Sequence, residues 1–251
     1  MSKPSQRPAL PWLAPGDPFP APARAWGPQD PAPGLLAAGG ALDVDSLLRA
    51  YSQGIFPWFS DGQPILWWSP DPRMVLQVDE FRLHRSLRQR LVAFARDARC
   101  EIRVDHAFGE VIRACAASPR AGQSGTWIVP EMVDAYEAFH AAGHAHSVET
   151  WIDGQLAGGL YCVARGRALF GESMFMRVPD ASKIALAALV ALCREYGVRW
   201  IDCQQNTAHL ASLGALEIPR RALLTALARD TTLPPPQWRF EPVYWNHLLP
   251  P

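Results

Sequence analysis

The sequence predicts an α+β fold, built on an antiparallel meander with helices against it. Three observations predict it. Residues 145–153, 155–164 and 167–175 read as successive strands, and Asp153-Gly154 between the first two is a hairpin turn signal. A strongly amphipathic helix, Ile184 to Tyr196, comes next and is stopped by Gly197. A short apolar strand, Val198 to Cys203, then returns to the sheet.

The elements follow in chain order. Residues 1–33 are rich in Pro and Ala, with ten prolines and no periodic pattern, and read as an irregular leader. Residues 34–79 read as a small aromatic-rich N-terminal α/β domain. In it Asp43 or Asp45 caps a short helix that turns Leu47, Leu48 and Tyr51 to one side and ends at Gly54. The loop-rich stretch 54–73 then packs Phe56, Trp58, Phe59, Trp67 and Trp68 between Pro and Gly breakers. From residue 80 to 232 regular elements alternate. A basic helix spans about 83–95 and Glu101–Val104 is a strand. Residues 106–117 form a helix with Phe108, Val111, Ile112 and Cys115 on one face. A loop from Ser118 to Trp127 precedes a helix opened by Pro130. The meander, a helix begun by Asp180 and the returning strand follow, then short helices near 207–213 and 219–229 and a Pro-rich tail, 233–251. This order matches the GNAT-like acyltransferase layout, in which two neighbouring strands splay and an acyl donor sits in the gap.

Composition excludes several classes. The chain has 251 residues, 49% of them hydrophobic, and equal numbers of acids and bases, so binding to nucleic acid by overall charge is disfavoured. The charge is nevertheless segregated. Residues 81–120 hold nine Arg against four acids, whereas 121–165 hold one Arg against five. Arg82, Arg85, Arg88 and Arg99 suit phosphate contacts, and a solvated helix face is the plain alternative. The five cysteines are widely spaced without a C-x-x-C, which argues against a disulfide framework or a zinc site. No metal or cofactor is expected. With no secretory h-region and no membrane-length apolar run, a cytoplasmic monomer is expected.

Three stretches place polar groups inside apolar runs. Glu172 lies in Leu169–Phe175, where a buried carboxylate needs a partner or a task, and an Arg across the sheet would be a structural partner. In Ile201-Asp-Cys-Gln204, strand alternation puts Asp202 and Gln204 on one face and Cys203 on the other. Capping of the following helix is the rival role for that pair. Cys203 as a nucleophile, with His209 downstream, is disfavoured by the same alternation. Trp58, Trp67, Trp68 and Trp127 could stack on a base, or form core. His144 and His146 lack a third metal ligand at suitable spacing and read as structural.

Gly54-Ile-Phe-Pro-Trp-Phe-Ser60, Pro64-Ile-Leu-Trp-Trp-Ser-Pro-Asp-Pro-Arg73, Gly125-Thr-Trp-Ile128, Gly143–Glu149, Gly171-Glu-Ser-Met-Phe175, Ala181-Ser-Lys183, Ile201–Gln204 and His209–Ala215 together resemble the bacterial leucyl/phenylalanyl-tRNA–protein transferase family over about residues 34–225. The resemblance implies transfer of Leu or Phe, and less readily Met, from aminoacyl-tRNA to the N-terminal Arg or Lys of a protein, which marks it for degradation as an N-degron. It implies that Asp202 polarises Gln204 toward the attacking amine, and that Glu172 holds the acceptor's basic residue or its amine. It further implies adenosine stacking between Trp58 and Trp127. The aminoacyl side chain is assigned to Leu160, Leu169, Met174 and Ile201. Leu160 and Met176 depart from residues common in the family. Two rivals remain. A CoA-dependent acetyltransferase is opposed by the glycine-free Arg177–Ser182, and a non-catalytic tRNA binder would leave Glu172, Asp202 and Gln204 without a task.

Overall fold

The computed structural model describes residues 9–118 and 128–249. In chain order the elements are β1 (Trp12–Leu13), β2 (Leu35–Gly39), α1 (Val44–Ser52), β3 (Phe56–Pro57), β4 (Leu66–Trp68), β5 (Arg73–Gln77), α2 (Arg85–Arg96), β6 (Cys100–Val104), α3 (Phe108–Ala117), α4 (Pro130–Ala141), β7 (Ala145–Ile152), β8 (Gln155–Arg165), β9 (Ala168–Met176), α5 (Ala181–Glu195), β10 (Trp200–Gln204), α6 (Ala208–Ser212), β11 (Leu216–Ile218) and α7 (Arg220–Asp230). They build a small sheet, β1-β2-β4-β3, and a seven-stranded one, β11-β5-β10-β9-β8-β7-β6.

The helices start where the chemistry allows. Asp43 caps α1 by accepting from the Ser46 N–H at 2.7 Å, and Thr207 caps α6 through the Leu210 N–H at 3.2 Å. Asp180 stands at the N-cap of α5 in the left-handed region (φ 67°). Its side chain caps no N–H and instead takes Lys183 at 2.8 Å. α5 is buried on nearly every side, because the meander covers one flank and the C-terminal tail the other.

The meander β6 to β9 is antiparallel throughout, and β10 returns parallel to β9 after the α5 crossover. The apolar side chains form two clusters. One unites the small sheet and α1 with α3 and α4; the other joins α5, α2 and the tail. The stretch 9–33, read from the sequence as leader, pairs β1 parallel with β2. β5 falls inside the interval read as the small domain, yet it lies in the large sheet between β11 and β10. Its run, Arg73-Met-Val-Leu-Gln, is buried over its first four residues and fits a central strand. The tail forms a 3-10 turn at Pro242–His247 that buries Tyr244, Trp245 and Leu248.

Parallel pairing of β9 and β10 is brief. Ile201 faces Leu169 and Asp202 faces Phe170, and then the strands part while β9 runs on to Met176. At the same place β10 bulges between Asp202 and Gln204, and Gln204 adopts a left-handed conformation (φ 63°). The gap and the bulge together frame the site.

Candidate active site

The gap between β9 and β10 opens into a cavity of about 440 Å³. Leu160, Met174 and Ile201, three of the four residues assigned to the aminoacyl side chain, line it with Leu186 and Leu189 from α5 and Leu210 from α6. Leu169 does not reach it. That residue is core, 2% exposed and packed in the cluster that includes α5, although its register partner Ile201 does line the cavity. Trp58, Glu172 and Gln204 stand at the wall as well.

Glu172 carries the cluster. Its Oε1 accepts from the Tyr51 hydroxyl at 2.8 Å and from the Gln204 side-chain NH2 at 2.9 Å. The Tyr51 hydroxyl also meets that of Tyr136 in a short contact. Among the described residues, Oε2 is enclosed without a partner and no Arg pairs with Glu172. Burial pushes the Glu172 carboxyl up to about 7, partly offset by the bonds from Tyr51 and Gln204. Burial and the neighbouring carboxyl raise both tyrosines well above their ordinary value, so they serve as neutral donors. The Gln204 amide must turn its NH2 toward a carboxylate, which leaves its oxygen to accept a further hydrogen.

The bulge corrects the face expected for Asp202 and Gln204. Alternation ends at Cys203, so the two side chains do not act side by side. Asp202, 1% exposed, is held by Arg73 through three bonds of 2.7–3.1 Å. It accepts the Gln204 backbone N–H at 2.9 Å, and no contact joins it to the Gln204 side chain. The expected polarisation of that amide by Asp202 is thus replaced by fixation of its backbone. Neither residue caps α6, since Thr207 does so.

Cys203 lines the cavity, but burial pushes its thiol up to about 12, so no thiolate nucleophile forms near neutrality. Trp58 lies at the cavity wall, tilted 57° against Trp68 with ring centroids 5.4 Å apart, while Trp67 is fully buried core. Trp127 lies outside the described residues. His146 is structural: it pairs with Asp105 at 2.7 Å and stacks on Trp238. Among the four arginines, Arg82 and Arg85 are exposed and have no acidic partner among the described residues. Arg88 reaches the Leu248 carbonyl at 3.4 Å, and Arg99 is claimed by Asp97 at 2.8 Å.

Tyr51, Tyr136 and Arg73 escaped the sequence reading as site residues. The two tyrosines read as apolar helix faces, and Arg73 as the end of an aromatic run. Only long-range packing reveals their partners.

An apolar pocket between parted parallel strands, with an amide and a carboxyl facing it, has the features needed to move an acyl group onto an amine, the chemistry of an acyltransferase. Residues 75–228 match the family described as leucyl/phenylalanyl-tRNA protein transferase, and residues 40–71 match its N-terminal domain. The chain belongs to this family and is an aminoacyltransferase. A leucyl/phenylalanyl-tRNA–protein transferase from Polaromonas sp. (strain JS666) is 63% identical over 96% of this chain and 94% of its own length. One from Albidiferax ferrireducens is 62% identical over 98% and 97%, and one from Burkholderia multivorans 57% over 92% and 91%. Among solved structures, the aminoglycoside N-acetyltransferase AAC(6')-Iy matches with a TM-score of 0.33 at 17% identity, over 57% of this chain and 92% of that one. A GCN5-related N-acetyltransferase-like protein from Streptococcus suis matches with 0.34 at 16%, over 69% and 63%.

Proposed function

We propose that the chain takes Leu or Phe, and Met less well, from aminoacyl-tRNA and joins it to the N-terminal Arg or Lys of a protein, creating an N-degron. It does so as a cytoplasmic monomer, and neither metal nor cofactor enters the reaction. The observation that supports this reading most is the Glu172–Gln204 pair at the wall of the apolar cavity.

The donor is already an activated ester, so the protein has to position two reactants and remove a proton. The aminoacyl side chain fills the cavity lined by Leu160, Met174 and Ile201. An apolar wall separates ligands differing by one methylene by only about 1–3 kcal/mol, so Leu, Phe and Met are all accepted. The terminal adenine stacks on Trp58, with Trp127 as its second face. The acceptor α-amine, with a pKa of about 7.7–8.0, is partly neutral near pH 7. It donates one hydrogen to the Gln204 amide oxygen and turns another toward Glu172. The nitrogen lone pair attacks the ester carbon, the proton lost by the amine passes to the Glu172 carboxylate, and as the C–O bond to ribose breaks that proton goes on to the departing ribose oxygen, which leaves as a hydroxyl. A carboxyl near 7 is matched to that proton far better than an ordinary one. Asp202 is a positioning residue: with Arg73 it locks the bulge that aims Gln204. Arg82 and Arg85 contact the tRNA backbone, with smaller parts for Arg88 and Arg99.

Purified protein given labelled Leu-tRNA should transfer label to a peptide that begins with Arg, and not to one that begins with Ala. Absence of transfer, together with acetylation of the same peptide from acetyl-CoA, would reverse the reading.

A further inference from the structure

A second cavity, about 410 Å³, adjoins the first. The two share Trp58, Gln204 and Gln205 and are otherwise lined differently. The first is lined by several aliphatic residues, with Glu172 as its carboxylate. The second is floored by Trp68, Pro70 and Pro72 and carries two carboxylates, Asp71 and Glu217. Asp71 is partly committed, since it accepts the Arg220 backbone N–H at 3.0 Å and lies 4.0 Å from its guanidinium. Glu217 is exposed and has no ion-pair partner among the described residues.

The register fixes how far Glu217 lies from the chemistry. Gln204 pairs with Met74 of β5, and Met74 pairs with Glu217 of β11. Gln204 and Glu217 thus occupy one row across three strands, about 10 Å apart at strand spacing. An Arg or Lys whose α-amine touches the Gln204 amide covers most of that distance with its own side chain, and Glu217 supplies the rest. Trp68 and the prolines offer an apolar bed for the alkyl stem.

Glu172 fits this task poorly. Its Oε1 already takes two hydrogen bonds, its Oε2 is enclosed, and it lines the first cavity but not the second. We infer that the second cavity is the acceptor subsite, where Glu217, assisted by Asp71, binds the cationic side chain of the acceptor's first residue. This rests on the function proposed above and divides its labour: Glu172 meets the α-amine, and Glu217 the side chain.

The test measures KM and kcat for peptides beginning with Arg, at saturating Leu-tRNA, for the wild type, Glu217→Gln and Glu217→Arg. Glu217→Gln should raise the peptide KM about tenfold, the loss of one charge-assisted contact, with kcat and the Leu-tRNA KM little changed. Glu217→Arg should raise it further and improve transfer to a peptide beginning with Glu. Thermal melts confirm folding, which the exposure of this edge-strand residue favours. An unchanged peptide KM in both variants overturns the inference, as does a rise in the Leu-tRNA KM instead, which would give the cavity to the terminal adenosine. A wild type that transfers nothing to Arg peptides sinks the parent reading, a result told apart before any variant is made.

Discussion

Glu172 is expected to show itself in both rate and stability. Its carboxyl titrates near 7 in the folded chain against an ordinary 4.5, so the folded state holds the proton more tightly than the unfolded one. Stability therefore falls as pH rises from about 4.5 to about 7, and the penalty is complete above that window. Glu172→Gln removes the charge, and its amide oxygen can still accept from Tyr51 and Gln204. Urea titrations should find this variant more stable than the wild type at pH 8, by up to about 3 kcal/mol, and without that advantage at pH 4. Its transfer rate should drop by about 100-fold or more and lose the wild type's rise through pH 7. Replacing Asp202 should cost stability instead. Asp202→Ala leaves the Arg73 guanidinium buried and uncompensated, at a cost of about 3–5 kcal/mol. A melt should show this before any assay does, and Arg73→Met in the Asp202→Ala background should recover part of it.

At the scale of elements, the meander, α5 and the returning strand were legible because periodicity and turn residues speak locally. The 2-residue period of 145–175 and the Asp153-Gly154 turn needed no distant partner to be read. β5 was not legible in this way, because Arg73–Gln77 looks like the end of an aromatic loop until β10 and β11 flank it. The bulge at Gln204 was equally hidden: nothing in Ile-Asp-Cys-Gln announces a left-handed residue, and strand alternation misassigned one face. Glu172, Gln204 and three lining residues, Leu160, Met174 and Ile201, were nameable from the sequence, while Tyr51, Tyr136 and Arg73 depend on contacts between residues far apart in sequence. One close approach adds a test. A Cβ on Gly158 would lie 2.7 Å from the Ala181 Cβ and 3.0 Å from the Phe175 carbonyl, so Gly158→Ala pushes the first turn of α5 off β8. A loss of about 1–3 kcal/mol in chemical denaturation is expected.

Over the whole molecule, neutral composition conceals a polarised surface, and the structure ranks the arginines that composition could only count. Arg82 and Arg85 project without acidic partners among the described residues, whereas Arg99 is neutralised by Asp97. Arg82→Ala and Arg85→Ala should each flatten the dependence of log K for tRNA on log salt by nearly one unit, and Arg99→Ala should leave it almost unchanged. Filter binding at several salt concentrations distinguishes them. Slopes unchanged from the wild type in all three would return this face to the role of solvated surface.

The position of β5 also bears on how the enzyme is born. Arg73–Gln77 waits between two strands that the ribosome supplies more than 120 residues later, Trp200–Gln204 and Leu216–Ile218. Closing so wide a loop is slow, and an unclosed sheet offers bare strand edges to its neighbours. The ion pair that seats Gln204 joins the same two distant segments. Competence therefore arrives late in synthesis and all at once, and a nascent chain halted before residue 200 holds much of the scaffold without any catalytic power.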